Sequence, residues 1–269
     1  MAARQHGKIS LMRTVKTADR VFPKQRDVGR PLAGSGSFPL SPTGYVRLML
    51  GIIGVLFVCN FAGTEIAAHT NTQPLKAIAG LAMMDHETSV PTLFNYLLIL
   101  INAMLLGVIA NRSFAVHDRW RWHWVILCAI FLLLSYDEAA QLHERLSSVG
   151  AHLVEAKGIF RFAWIVPMGA AVTVFSLGFL NFLLHRPRQI AGLMIVSGAI
   201  YVMGAMGIEM LGGLYVSAHG MAESQGSVGF ELLCGVEESL EMLGMALFGF
   251  TLLTILEQGT QDTRNPPRA

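Results

Sequence analysis

The stretch SYDEAAQLHERL, residues 135–146, places Asp137, Glu138, His143 and Glu144 close together, directly after the apolar run WVILCAIFLLL. Carboxylate and imidazole groups are the side chains that bind metal ions and transfer protons in proteins. In apolar surroundings these groups are costly unless they are paired, protonated or bound to a cation. The stretch therefore indicates a polar site that could do chemistry.

A second set of acids lies in the last apolar segment of the chain. At 100° per residue, an arc of about 120° on one helix contains five polar side chains. They are Glu231, Cys234, Glu237, Glu238 and Glu241. Acids at membrane depth face protein or a water-filled cavity rather than lipid. On the helix of residues 122–142, the same spacing predicts one stripe for Asp137, Gln141 and Glu144.

Two other segments contribute polar side chains at a similar depth. Glu65 and His69 are spaced i, i+4, and Glu209 lies in the fifth apolar segment. Counted from the ends that we expect to be cytoplasmic, the acids of four segments lie roughly 24–32 Å along their helices, at 1.5 Å per residue. The loop after the first segment adds Asp85, His86 and Glu87. We expect these groups to meet near one face of the membrane.

Many carboxylates with one or two histidines favour a metal site, which could also be catalytic. A divalent ion of iron, manganese or zinc fits this ligand mixture. The Glu-x-x-His motif of dinuclear helix bundles is missing from the apolar segments, and calcium would use the oxygens alone. The predicted metal-site residues are Glu65, His69, Asp137, Glu138, His143, Glu209, Glu237, Glu238 and Glu241. A proton- or cation-coupled transporter and a non-catalytic subunit of a larger membrane complex are the alternatives.

The composition indicates an all-α, polytopic membrane protein. Of the 269 residues, 53% are hydrophobic and only 14% are charged, and the mean hydropathy is +0.50. A soluble protein would carry nearly twice that charged fraction. Six apolar runs are long enough to cross a hydrocarbon layer of about 30 Å. The predicted transmembrane helices are about 45–68, 91–111, 122–142, 162–184, 189–215 and 229–256.

The charges predict the orientation of these helices. When both termini are placed on one side, that side holds 16 of the 20 Lys and Arg and five of the 18 Asp and Glu. Loops rich in Lys and Arg stay in the cytoplasm. We therefore expect both termini to be cytoplasmic, the acidic side to face outward, and the protein to reside in the inner membrane.

The chain divides into three predicted parts. Residues 1–44 form a basic cytoplasmic arm with Gly, Pro and Ser, residues 45–256 form the transmembrane domain, and residues 257–269 form a cytoplasmic tail. Besides the lipid bilayer, the arm could contact anionic lipid or other membrane subunits. Nothing beyond the basic arm indicates nucleic-acid binding. The cysteines have no recognised spacing, so we expect free thiols.

Two stretches, MDHETSVPTLFNYLLIL and FLLLSYDEAAQLHERL, resemble a group of uncharacterised bacterial polytopic membrane proteins. In that group we expect the pattern Asp-x-Glu-Asn/Thr-Ser-x-Pro-Thr before the second helix and Leu-Ser-x-Asp-Glu-Ala…His-Glu after the third. The resemblance covers about 35 residues and carries no activity with it. It supports the polar outer site. The matching residues here are Asp85, Glu87, Ser89, Pro91, Thr92, Ser135, Asp137, Glu138, Ala139, His143 and Glu144.

Overall fold

The computed structural model of the protein describes residues 41–86 and 88–264. Most of the predicted arm, Glu87 and the end of the predicted tail lie outside the described residues. The binding of the arm to lipid or to other subunits stays a prediction.

Within the described residues, every regular element is helical. In chain order they are α1 (Pro42–His69), α2 (Gln73–Gly80), α3 (Val90–Ala115), α4 (Arg121–Ala140), α5 (Leu142–Arg145), α6 (Ser147–Gly150), a 3₁₀ helix (Gly158–Phe160), α7 (Ile165–Leu184), α8 (Arg188–Val202), a π-helix (Met203–Ile208), α9 (Glu209–His219), α10 (Met221–Ser224) and α11 (Val228–Arg264).

In the part of the chain that the structure describes, six helical stretches are long and apolar enough to cross a membrane. They are α1, α3, α4, α7, the continuous run Arg188–His219 and the part of α11 over Val228–Gly259. The all-α class and the number of spanning segments are thereby confirmed. The orientation of the termini stays a prediction.

Helices α1 and α3 begin with the same local chemistry. The Ser41 hydroxyl accepts a hydrogen bond from the Gly44 N–H, and the Ser89 hydroxyl accepts one from the Thr92 N–H. Each cap is followed by a proline in the first turn, where the missing N–H removes no helical hydrogen bond. Pro91 therefore lies in the first turn of α3.

Helix α11 forms the centre of the bundle. It packs against α1, α3, α8 and the π-helix, and 67% of its most apolar window is buried, against 17–50% for the other spanning segments. A central helix is surrounded by protein and can hold acids away from lipid. This position explains how α11 tolerates Glu231, Glu237, Glu238 and Glu241.

Helix α4 is shorter than predicted. It ends at Ala140, and Gln141 takes a left-handed conformation with φ 50° and ψ 47°. The prediction that Asp137, Gln141 and Glu144 share one helical stripe is therefore wrong, because the chain stops being one helix between them. A second difference is the short helix α2, which the sequence analysis does not predict because its eight residues are too few to show a clear helical pattern.

Candidate functional site

Asn95 on α3 joins carboxyl groups from two other helices. Its Nδ2 donates to Glu138 Oε1 on α4 at 3.1 Å and to Glu241 Oε2 on α11 at 3.4 Å. Glu238, one turn before Glu241, also lies beside Asn95. Because Asn95 is completely buried, this meeting of three helices takes place inside the protein.

Two further acids extend this group. Glu209 on α9 and Glu237 on α11 share a side-chain hydrogen bond, and Glu209 also lies within electrostatic range of Glu238 and Glu241. A hydrogen bond between two carboxyl groups requires a proton on one of them. We call this group the carboxyl cluster: Glu138, Glu209, Glu237, Glu238 and Glu241.

The carboxyl cluster has more hydrogen-bond acceptors than donors. The amide of Asn95 offers two N–H hydrogens to three neighbouring carboxyl groups. Among the described residues, the buried Asn95 Oδ1 and Glu238 Oε2 have no hydrogen-bond partner. Buried acceptors without donors are costly and rare in native proteins. Protons or a bound cation would balance this arrangement.

Asp137 and His143 lie at the end of α4, beside the carboxyl cluster. The His143 backbone N–H donates to Asp137 Oδ1 at 2.7 Å, and its ring Nδ1 lies 3.0 Å from Asp137 Oδ2. The turn at Gln141 makes this return contact possible. Burial acts to lower the pKa of His143, but the hydrogen bond to Asp137 and the charges of Asp137, Glu144 and Glu138 raise that pKa above its ordinary value.

Trp164, just before α7, connects this pair to the carboxyl cluster. The His143 ring lies 4.8 Å from the Trp164 ring, centroid to centroid. The Trp164 Nε1–H donates to Glu209 Oε1 at 3.4 Å. One indole therefore contacts both the imidazole and one carboxyl group.

The π-helix brings the backbone of the fifth spanning segment against the acidic face of α11. A Cβ added to Gly204 would lie 2.8 Å from the Glu237 carbonyl oxygen and 3.1 Å from Glu241 Cγ. Only glycine fits there without a shift of the backbone. Single π-helical turns are frequent at functional sites, and this one directly precedes Glu209. Tyr201, in the preceding turn, lies within electrostatic range of Glu138, Glu238 and Glu241.

Glu65 and His69 lie apart from these contacts. Their side chains are 61% and 79% exposed, and His69 Nδ1 lies 3.5 Å from Glu65 Oε2 and 3.0 Å from the Glu65 carbonyl oxygen. The structure thus brings together Asp137, Glu138, His143, Glu209, Glu237, Glu238 and Glu241. It leaves Glu65 and His69 at the exposed end of α1.

The described residues include no group of three or more His, Cys, Asp or Glu side chains that converge closely enough to hold a metal ion. A metal ion in the carboxyl cluster would therefore require the side chains to draw together around it.

The three cysteines are free thiols, as the sequence predicts.

Asn95, Trp164 and Tyr201 belong to the site, but the sequence reasoning does not single them out. Asn95 and Asn102 are seven residues apart on α3, so they lie on one face of that helix, and both are completely buried. Isolated amides at that spacing in an apolar run are the signal that could have revealed the polar face of α3.

One family model, a domain of unknown function (DUF8692), matches residues 49–256. No curated protein and no solved structure shows significant similarity to the chain. The matched range begins within α1 and ends within α11, so it includes four spanning segments completely, most of the first and the last, and every residue of the carboxyl cluster. The chain belongs to the DUF8692 family.

Proposed function

We propose that the protein is an integral membrane protein of the bacterial inner membrane whose carboxyl cluster binds a divalent metal ion. One observation carries the proposal: Asn95 Oδ1 and Glu238 Oε2 are buried acceptors without a partner among the described residues. They adjoin the carboxyl groups of Glu138 and Glu241. A cation placed among these oxygens would compensate for the missing donors.

The residues around Asn95 supply the hard oxygen ligands that such an ion prefers. Glu138, Glu238 and Glu241 come from two helices, and Asn95 adds an amide oxygen from a third. Manganese and iron accept this mixture of carboxylate and carbonyl oxygens. The nearby Asp137–His143 pair could complete the coordination, or it could act as an acid–base pair for a metal-bound substrate. Zinc would favour a site that includes His143.

The decisive test is elemental analysis of the protein purified in detergent. Wild type should contain a stoichiometric amount of iron, manganese or zinc, and the variants Glu238→Gln and Glu241→Gln should lose most of it. Glu223→Gln is the matched control, because Glu223 is exposed and lies outside the carboxyl cluster. Wild-type protein without metal, or equal metal in all four proteins, would overturn the proposal.

A second candidate is proton-coupled transport by the same carboxyl cluster. The hydrogen bond between the carboxyl groups of Glu209 and Glu237 favours it, because that bond contains an exchangeable proton. Membrane-embedded acids that share protons are typical of proton relays. This candidate predicts a metal-free protein that moves protons across liposome membranes, with loss of the flux in Glu237→Gln.

A further inference from the structure

The loop between α2 and α3 brings another carboxyl group against the first turn of α11. Asp85 lies beside Glu231, and the charge of Asp85 acts directly on the Glu231 carboxyl group. Glu231 is only 2% exposed, whereas the Asp85 side chain is 21% exposed. The pair therefore has one deeply buried carboxyl group and one that solvent can reach.

The two carboxyl groups lack the partners that buried acids need. Both side-chain oxygens of Glu231 and Oδ1 of Asp85 have no hydrogen-bond partner with good geometry among the described residues. The two groups lie close enough to share a hydrogen bond, but only if one of them carries a proton. His86 is an ion-pair partner of Asp85 only when it is protonated, and it forms no hydrogen bond, because its Nε2 lies 3.7 Å from Asp85 Oδ1 and its side chain is 53% exposed.

The first turn of α11 can stabilise one of these negative charges but not both. Glu231 lies in the first turn of the helix, where the helix dipole favours an acid. A second carboxylate facing it adds repulsion in a poorly solvated place. Two opposed carboxyl groups therefore need either a shared proton or a cation between them, and a cation can replace the proton.

The backbone holds the two groups in place. The Met84 N–H donates to Asn60 Oδ1 on α1 at 2.7 Å, and the Val90 N–H donates to the Leu81 carbonyl at 2.8 Å. Asp85 directly follows Met84 and is therefore fixed on the loop. Gly235, one turn beyond Glu231, packs against Asn60. The same asparagine therefore contacts both the loop that carries Asp85 and the helix that carries Glu231.

We propose that Asp85 and Glu231 bind a hydrated divalent cation of the magnesium or manganese type. Such ions keep several waters and are held in proteins by one or two carboxylates. The site differs from the carboxyl cluster, since Glu231 and Glu238 are about 10 Å apart along α11 at 1.5 Å per residue. The bound cation would link Asp85, on the loop that follows α2, to the central helix.

The test uses manganese as the probe. The full-length protein in detergent is stripped of metal with a chelator and titrated with Mn²⁺, and free Mn²⁺ is followed by electron paramagnetic resonance. We expect Asp85→Asn and Glu231→Gln each to lose one equivalent of Mn²⁺ or to weaken its binding at least tenfold. The control Glu223→Gln should bind as wild type does.

The variant Glu238→Gln separates this site from the proposed function. If both sites exist, Glu238→Gln loses a different equivalent and keeps the one that depends on Asp85. If only the site at Asp85 exists, Glu238→Gln binds as wild type does. The inference is overturned if Asp85→Asn, shown to be folded by its circular dichroism and elution volume, retains the wild-type stoichiometry and affinity.

Discussion

His143 contacts Asp137 at two points: its backbone N–H reaches one carboxylate oxygen at 2.7 Å and its ring Nδ1 lies 3.0 Å from the other. The side chain of Asp137 thus fixes the residues that follow the end of α4, where Gln141 has a left-handed backbone conformation. This contact positions the imidazole against Trp164 and connects the end of α4 to the segment before α7.

Replacement of Asp137 by Asn should lower the pKa of His143 and destabilise the protein, more strongly at acidic pH. The asparagine can still accept from the backbone N–H, but it carries no negative charge. In wild type the folded-state pKa of His143 lies above the ordinary value of 6.5. Protonation of His143 therefore stabilises the fold below pH 6.5, and this contribution disappears as the pH rises through the folded-state pKa.

Thermal unfolding in detergent at pH 6 and pH 8.5 measures this effect. Hydrogen bonds to charged groups contribute about 1.5–3 kcal/mol, and partial solvent access should reduce the difference at pH 6 to about 1–2 kcal/mol. At pH 8.5 we expect a smaller difference. The control is Asp137→Asn in a His143→Gln background, where the pH dependence should vanish. An effect of equal size at both pH values in the single variant would contradict the assignment.

Asn95→Ala should destabilise the protein because it removes the shared donor of Glu138 and Glu241. Loss of a buried hydrogen-bond partner costs about 1–3 kcal/mol. Asn181→Ala is the matched control, since Asn181 is an exposed asparagine in the spanning helix α7. Thermal unfolding in the same detergent should show a clear loss for Asn95→Ala and almost none for Asn181→Ala. Equal losses of stability in the two variants would mean that the hydrogen bonds of Asn95 to Glu138 and Glu241 do not stabilise the carboxyl cluster.

Gly204→Ala should separate the π-helix from α11. The new methyl group would approach the Glu237 carbonyl oxygen and Leu240 Cβ to 2.8 and 3.0 Å, and overpacking of this kind costs about 1–3 kcal/mol. Gly198→Ala on α8 is the control, because a Cβ there meets nothing within 4 Å. We expect Gly204→Ala to lower both the unfolding temperature and the metal content, and Gly198→Ala to change neither. An unchanged Gly204→Ala protein would show that the close approach is dispensable.

The sequence predicts the spanning segments well because the cost of exposing backbone and charge to hydrocarbon forces long apolar helices. Span 45–68 corresponds to α1 and span 91–111 to α3, with ends that differ by a few residues. Helical spacing correctly groups Glu237, Glu238 and Glu241, since α11 is continuous. The same rule fails after Ala140, because Gln141 takes a left-handed conformation and the chain turns back so that His143 contacts Asp137.

The remaining parts of the site depend on contacts between distant segments. Asn95 meets Glu241 across 146 positions of the chain, and no local pattern indicates which helices are neighbours. The π-helix is equally invisible, because Gly204 and Gly207 look like the small residues of any closely packed membrane helix. Glu65 and His69 have the spacing of a pair, and they do contact each other. That spacing cannot show that α1 carries them to an exposed end.

Both termini should lie in the cytoplasm, with the carboxyl cluster near the outer boundary of the membrane. The basic residues gather on the side of the termini, and Lys and Arg near short loops set the orientation of spanning helices. Fusions of alkaline phosphatase and of a green fluorescent protein to the C-terminus test this. The fluorescent fusion should be bright and the phosphatase fusion inactive, whereas phosphatase inserted at Lys157, between α6 and α7, should be active. The reverse pattern would place Glu238 and Asn95 near the cytoplasmic face, and the carboxyl cluster would then receive its cation from the cytoplasm.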